Sequence, residues 1–453
     1  MKSAYHDQRR AVVAVSESAG SRPRVRAGGV MSAVPAIPAG MPEPQALRPI
    51  QLALLAAAVF VVSAGYGGLL PVLPAWLAQQ MPQADAVEVA RHVGFLSGAY
   101  AAGVLVGAPL WGTVSDRVGR PRILVTGMVG YVVSLLLLLV PTLGSLSAIY
   151  VLRVAAGLCV AAVVPVVSAL VAEHTPQALR ARRFAWLSAA SLIGFLFGPA
   201  LNALADGLTG WLRSGGNQAP LSASLVVVLS AGLGAVIMLG LAWTLPVRQL
   251  PMAKFVPGPT RQRGVAALLW LSGAVMFVLS GFELGIVLQG QQHANLSTQQ
   301  IALMFAECSL VMLVINAMLF FTSLLDKVPA RVLIAFGLLI GMAGLAIMAL
   351  HRADSWMYLG VSLTSAGTGL VLPAITFLAA GASRQKLGAT MGGLAAAAGF
   401  GQTLGSAAGG WLFGALAQQS FGWLTLPLAL TLFMLLARPG WCAQQPMREE
   451  AGA

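Results

Sequence analysis

Long apolar stretches separated by short polar segments dominate this chain from residue 51 onward. Each stretch is close to the ~20 residues that a helix needs to cross the hydrocarbon core of a bilayer. The pattern therefore predicts an all-α polytopic membrane protein with twelve transmembrane helices. The predicted spans are residues 51–77, 93–114, 121–141, 146–172, 184–206, 221–245, 264–289, 300–324, 329–350, 355–380, 388–417 and 422–438.

Composition and charge distribution agree with this interpretation. The chain has 453 residues, of which 58% are hydrophobic and 9% charged, too few charges to cover a soluble protein of this length. If the N-terminus is cytoplasmic, all but four of the 27 Lys and Arg residues fall in the two tails and the cytoplasmic loops. By the positive-inside rule, both termini are expected in the cytoplasm. The net charge of +13 then reflects topology, and nucleic-acid binding is not expected.

Three pattern matches relate the first half of the chain to the second, at offsets of 208, 207 and 210 residues. Because the three offsets are nearly equal, they predict two pseudo-symmetric six-helix bundles. Transporters built from such repeats place their binding site between the repeats. The matching sets are Tyr150/Pro165 with Tyr358/Pro373, Gly194/Gly198 with Gly401/Gly405, and Asp116/Arg117 with Asp326/Lys327.

The predicted domains follow from these spans. Residues 1–46 are expected to form a disordered cytoplasmic tail, in which Met31 and Met41 are alternatives to Met1 as the translation start. The rest divides into an N-terminal six-helix bundle at 47–246, a cytoplasmic linker at 247–263, a C-terminal six-helix bundle at 264–440 and a cytoplasmic tail at 441–453.

The charged segment between spans two and three carries the most specific motif. Gly119 permits a tight turn, and Pro121 suits the first turn of the next helix. The spacing Gly-x-x-x-Asp-Arg-x-Gly-Arg-x-x-x-Leu, at residues 112–124, resembles the signature loop of the major facilitator superfamily of secondary transporters. Pro121 stands where that family usually has a basic residue. The resemblance implies a loop that helps to control a cytoplasmic gate, formed by Gly112, Asp116, Arg117, Gly119 and Arg120.

Spans four and five carry two further motifs. Arg153, the basic residue deep in a span, is followed four residues later by Gly157, which resembles the family's fourth-helix motif. In relatives that arginine is linked to proton transfer; the alternative is that Arg153 extends to the membrane interface. Gly194, Gly198 and Pro199 resemble the fifth-helix motif of proton-coupled antiporters, although Asn202-Ala203 replaces the usual glycine pair. Close helix packing is the alternative, and both roles are compatible.

Two carboxyl groups lie inside predicted spans, Glu283 in span seven and Glu307 in span eight. An ionised carboxylate is costly to bury, so each is a candidate for binding and releasing a proton or for binding substrate. The alternative is a structural hydrogen bond or a position near the external interface. Tyr66, in a first span that resembles those of drug-exporting relatives, is a candidate cavity residue.

Other chemistries have little support. Two of the three cysteines, Cys159 and Cys308, lie in predicted spans, and Cys442 lies near the C-terminus. Their spacing predicts neither a disulfide nor a metal site. A phosphate-binding glycine loop and a catalytic constellation are both missing, so we expect no cofactor, no catalytic residue and no enzyme activity.

The resulting hypothesis is a monomeric, proton-coupled exporter of small amphipathic molecules in a bacterial inner membrane. Protonation of a buried carboxyl group from the external side would bias the carrier between its two states. Two alternatives remain open: a proton symporter that imports a sugar, organic acid or other nutrient, and a membrane receptor or assembly subunit that transports nothing.

Overall fold

The structure is a computed structural model that describes residues 47–140, 145–175, 177–212, 221–245, 263–292, 296–322, 324–351, 353–382 and 387–437. The described residues form helices joined by short turns, with no strand among them. The predicted tails at 1–46 and 441–453 lie outside these ranges, as does the predicted linker except for its last residue.

Twelve long helices follow one another along the described ranges, and the predicted twelve-helix fold is confirmed. A four-residue helix, Leu324–Lys327, lies between the eighth and ninth. The helices are α1 (Pro49–Gln80), α2 (Ala86–Val118), α3 (Arg120–Leu137), α4 (Leu146–Glu173), α5 (Gln177–Leu212), α6 (Leu221–Thr244), α7 (Arg263–Gln292), α8 (Thr298–Phe321), α9 (Ala330–Leu350), α10 (Asp354–Ala382), α11 (Leu387–Leu416) and α12 (Ser420–Ala437).

Eleven of the described helical segments are long and apolar enough to cross a membrane. The last of these, Gly392–Ala437, contains most of α11 and all of α12, which a 3₁₀ turn at Ala417–Gln419 separates. Ala417 has a φ of 49°, the left-handed conformation that sharp turns between helices use. Counting the two helices separately gives twelve.

Local sequence explains where several helices begin and break. Asp85, Ser145 and Ser297 cap the first turns of α2, α4 and α8 with their side-chain oxygens. Helix α1 is interrupted by a 3₁₀ turn at Leu70–Val72, where Pro71 removes a backbone donor. Helix α4 is interrupted between Val160 and Val164, just before Pro165.

The two halves repeat the same packing. In the first half, α1 packs on α5 and α6, and α3 packs on α6. In the second half, α7 packs on α11 and α12, and α9 packs on α12. The halves meet through α2 against α11 and through α5 against α8.

The halves are closely joined at the end where α1 turns into α2, here called the α1–α2 end. Gln291 of α7 donates to the Pro71 carbonyl at 2.8 Å, and Gln292 donates to the Ala86 carbonyl at 2.9 Å. Gln299 of α8 lies 3.4 Å from the Asp206 carboxylate of α5. These contacts close that end of the interface between the halves.

Candidate functional site

Tyr66 of α1 and Glu283 of α7 connect the two halves. The Tyr66 hydroxyl donates to Glu283 Oε2 at 3.5 Å. Glu283 is 9% exposed and belongs to a segment of α7, residues 278–290, in which every residue is buried. Gln402 of α11 also contacts the Tyr66 hydroxyl. A carboxyl group therefore lies at the junction of α1, α7 and α11, shielded from solvent.

An aromatic cluster extends from Tyr66 through four helices. The ring centroid of Tyr66 lies 5.4 Å from that of Tyr100 in α2, with the rings stacked. The Tyr66 ring lies 5.9 Å from Phe195 in α5, which lies 5.8 Å from Phe305 in α8. Rings at these separations attract one another beyond the simple burial of apolar area. The aromatic cluster places flat apolar surfaces next to the Glu283 carboxyl group.

Arg153 is buried inside the first half at 5% exposure. Its guanidinium carbon lies 4.9 Å from the centroid of the Tyr100 ring, a cation–π arrangement. The side chain thus points toward the aromatic cluster and does not extend to the membrane interface. One line of contacts, through Tyr100 and Tyr66, therefore links Arg153 to Glu283.

Glu307 lies in a separate polar group between α8 and α10. The Ser362 hydroxyl donates to Glu307 Oε1. Oε2 of Glu307 is buried and has no hydrogen-bond partner among the described residues. Cys308, the next residue, is fully buried at 2% exposure, whereas Glu307 itself is only partly buried.

The α2–α3 turn has the predicted geometry. Gly119 has a φ of 104°, which explains the need for glycine at the turn. Arg120 pairs with Asp116 at 3.2 Å and with Glu173 at the end of α4. Arg117 is exposed, and a Cβ added to Gly112 would meet nothing within 4 Å. Sequence reasoning missed Glu173, because nothing in the sequence marks it as a partner of a residue 53 positions away.

At Gly194 and Gly198, helix α5 packs directly against the backbone of α1. A Cβ on Gly194 would collide with the backbone of Phe60, and one on Gly198 would lie 2.5 Å from the Gly68 nitrogen. The equivalent residues of α11 behave alike: a Cβ on Gly401 or Gly405 would collide with the α7 backbone. Pro199 follows Gly198 within an unbroken α5. The structure therefore supports the packing role of this motif in both halves.

The structure brings Tyr66, Glu283 and Arg153 together and leaves Glu307 apart. Sequence reasoning missed Tyr100, Phe195 and Phe305, because aromatic residues in apolar helices are common in any packed core. It also missed Gln402, whose position beside Tyr66 depends on tertiary packing. Among the described residues, no group of three or more His, Cys, Asp or Glu side chains is placed to hold a metal ion.

Comparison with known proteins adds independent evidence. A family model described as Major Facilitator Superfamily matches residues 55–379. "Multidrug resistance protein 2" of Bacillus subtilis is 25% identical over 373 residues, which cover 80% of this chain and 88% of the relative. "Tetracycline resistance protein, class G" of Vibrio anguillarum is 26% identical over 386 residues, 83% of this chain and 94% of the relative. "Quinolone resistance protein NorA" of Staphylococcus aureus is 29% identical over 143 residues, 32% of this chain and 35% of the relative.

Solved structures give the same fold. The human organic anion transporter MFSD10 (TETRAN) aligns with a TM-score of 0.65 at 19% identity, covering 86% of this chain and all of that chain. A bacterial homologue of the human lysosomal transporter Spinster, in an inward-facing and unoccupied conformation, aligns with a TM-score of 0.62 at 16% identity, covering 87% and 97%. Since the family model matches most of its length, this chain belongs to the Major Facilitator Superfamily.

Proposed function

We propose that the protein is a proton-coupled secondary transporter that exports small amphipathic molecules by alternating access. The observation that carries this proposal is the Glu283 carboxyl group, buried between the halves beside the aromatic cluster. The names of the aligned relatives, which include multidrug, tetracycline and quinolone resistance proteins, support export of drug-like molecules.

In the proposed chemistry, a proton and the substrate compete for the Glu283 carboxyl group. An ionised carboxylate with one hydroxyl donor and little solvent is poorly stabilised, so binding of a proton or of a cationic group on the substrate is favoured. The aromatic cluster offers stacking surface for the apolar body of the same molecule. If proton and substrate exclude one another at Glu283, release of one accompanies binding of the other, which is the requirement for antiport.

The other sequence-predicted residues have supporting roles in this proposal. Tyr66 orients the Glu283 carboxyl group, and Arg153 sets the electrostatic field of the aromatic cluster through Tyr100. Glu307 is a second candidate proton site, because one of its oxygens lacks a partner among the described residues. The α2–α3 turn acts in gating, and Gly194, Gly198 and Pro199 hold α1 against α5 while the halves move. We further propose a monomer in a bacterial inner membrane with both termini in the cytoplasm.

Everted membrane vesicles test the proposal. Vesicles that contain the protein are energised to an acid interior, and a pH-sensitive dye reports the proton gradient. Cationic, neutral and anionic amphipathic compounds are then added in turn. We expect at least one compound to release protons, and we expect Glu283→Gln to abolish that release. Glu88→Gln, which neutralises an exposed carboxylate near the start of α2, is the matched control and should behave as the unmodified protein.

Two outcomes contradict export. If no compound releases protons, while cells containing the protein take up a nutrient faster, the protein is a symporter. If Glu283→Gln and Glu307→Gln both leave every measured transport and uptake process unchanged, coupling through these carboxyl groups is wrong and a receptor or assembly role is favoured.

A further inference from the structure

Asn202 of α5 is a buried amide without a hydrogen-bond partner. Its side chain is 2% exposed, and neither its Nδ2 nor its Oδ1 bonds to any described residue. Such an amide destabilises the state that buries it, because it has lost its hydrogen bonds to water and gained none in return. Asn202 also stands where the α5 motif usually has a glycine, so the packing motif does not explain this polar side chain.

Helical geometry places Asn202 on the face of α5 that meets α8 of the other half. On that face, the ring centroids of Phe195 and Phe305 lie 5.8 Å apart. Farther along α5, the Asp206 carboxylate lies 3.4 Å from Gln299. Asn202 follows Phe195 by seven residues and precedes Asp206 by four. Since a helix turns about 100° per residue, all three side chains lie within about 20° of one direction.

The facing part of α8 offers the amide no partner. The buried residues of α8 between Gln299 and Phe305 are Ile301, Ala302 and Met304. Gln300 is exposed, and its side chain is bonded to Ser297 at the start of the helix. The backbone carbonyl groups of a continuous helix are already bonded along the helix. In this described stretch, the Asn202 amide therefore faces apolar surface.

Opening of the α1–α2 end would change these surroundings. Gln291 and Gln292 of α7 hold that end closed by donating to carbonyl groups of the first half. Separation of α5 from α8 at the same end would admit water to Asn202, whose amide could then donate and accept hydrogen bonds. The unpaired amide thus disfavours the closed arrangement that the two glutamines stabilise.

We propose that Asn202 sets the equilibrium between the two carrier states by favouring the state that is open at the α1–α2 end. A ligand shifts such an equilibrium only by the difference in its affinity for the two states. By offsetting part of the preference for the closed state, Asn202 lets a given ligand switch a larger fraction of the molecules. This proposal goes beyond proton-coupled export, because the equilibrium exists without a proton gradient or a transported compound.

Spin labels at Gln80 and Gln419, exposed near the α1–α2 end in opposite halves, test the proposal. Label-to-label distances are measured in detergent with no compound present. Asn202→Leu keeps the approximate size and removes both polar atoms, so we expect the fraction of long distances to fall several-fold. Asn202→Asp introduces a carboxyl group with a greater need for water, so we expect that fraction to rise.

Asn316→Leu is the matched control. The Asn316 amide donates to the Met312 carbonyl of its own helix at 2.8 Å, so its loss should leave the label distances unchanged. Asn202→Ala removes the same polar atoms without a bulky replacement and covers the case in which Asn202→Leu does not fold. It should also reduce the fraction of long distances.

Thermal unfolding provides a second measurement. Replacing an unpaired amide by an apolar side chain of similar size should raise the unfolding midpoint, whereas replacing a bonded amide should lower it. A lower midpoint in Asn202→Leu would mean that the amide is bonded, for example to a water molecule, and would overturn the proposal. Unchanged distances in Asn202→Leu, a fall in Asn202→Asp, or an equal effect of Asn316→Leu would do the same. The vesicle experiment can fail while these results hold, because no proton gradient enters them.

Discussion

The Tyr66 hydroxyl and the Glu283 carboxyl group lie 3.5 Å apart although 217 residues separate them in the chain. The contact joins α1 of one half to α7 of the other, so any rocking of the halves changes it. A proton or a substrate that alters this contact therefore acts directly on the interface between the halves.

Tyr66→Phe should distinguish the contribution of the hydrogen bond to transport from that of the aromatic cluster. The variant keeps the ring and its stacking on Tyr100, and it removes the donor to Glu283. We expect compound-induced proton release to fall markedly, while the free energy of unfolding falls by about 1 kcal/mol, the typical net value of one hydrogen bond. Tyr100→Phe removes a hydroxyl from the same cluster without touching Glu283 and serves as the control. Equal transport by both variants would contradict the role given to Tyr66.

Gly198→Ala should destabilise the first half. The added methyl group would lie against the backbone of Gly67 and Gly68, where neither helix can yield without moving as a unit. We expect a loss of about 1–3 kcal/mol in the free energy of unfolding, the usual range for overpacking. Gly207→Ala, in the same helix, places its methyl group in open space and should be neutral or slightly stabilising. Denaturant unfolding in detergent micelles distinguishes the two.

Glu173→Gln should weaken the α2–α3 turn more than Asp116→Asn does. The Glu173 and Arg120 side chains are 27% and 13% exposed, whereas the Asp116 side chain is 44% exposed and better screened by water. A double-mutant cycle between Arg120→Gln and Glu173→Gln should give a coupling energy of about 1 kcal/mol. A coupling indistinguishable from zero would mean that the pair does not hold α4 to the turn.

Gly112→Ala should leave folding unchanged and slow transport. The position has no close neighbour in this conformation, so the methyl group costs nothing here. If the motif needs glycine for a close approach in the other conformation, the methyl group will oppose that state alone. The expected result is an unaltered unfolding midpoint with a reduced rate of compound-induced proton release. Full transport activity would show that Gly112 has no gating role in this protein.

Gln291→Leu should favour opening at the α1–α2 end. The substitution removes the donor to the Pro71 carbonyl, one of the polar contacts between the halves at that end. Spin labels at Gln80 and Gln419, both exposed near that end, should report a larger fraction of long distances. Gln79→Leu, at an exposed position of α1, is the control and should leave the distance distribution unchanged.

Sequence patterns predicted the helices well because hydrophobic length is a local property. The predicted span 146–172, for example, corresponds to α4 at Leu146–Glu173. Gly119 was also predictable, since a one-residue turn between two helices needs a conformation that glycine adopts easily. The repeat offset of 207 residues correctly related the close-packing glycines of α5 to those of α11.

The candidate site was only partly predictable. Glu283 and Arg153 stood out because charges in apolar spans are rare, but their connection through Tyr100 and Tyr66 depends on how four helices pack. Phe195 and Phe305 have no local signal that separates them from ordinary core residues. The pairing of Glu173 with Arg120 likewise depends on tertiary packing of α4 against the turn.

The contact between Gly94 of α2 and Gly410 of α11 has a mechanical consequence. An added Cβ on either glycine would meet the other's backbone, so the two helices touch there with no side chains interlocked. Such a backbone-to-backbone contact can serve as a pivot for rotation of one helix against the other. At 1.5 Å per residue, α2 extends roughly 12 Å from Gly94 to its start and roughly 36 Å to its end at Val118. If α2 tilts as a rigid body about this contact, its end at Val118 moves about three times as far as its start at Ala86.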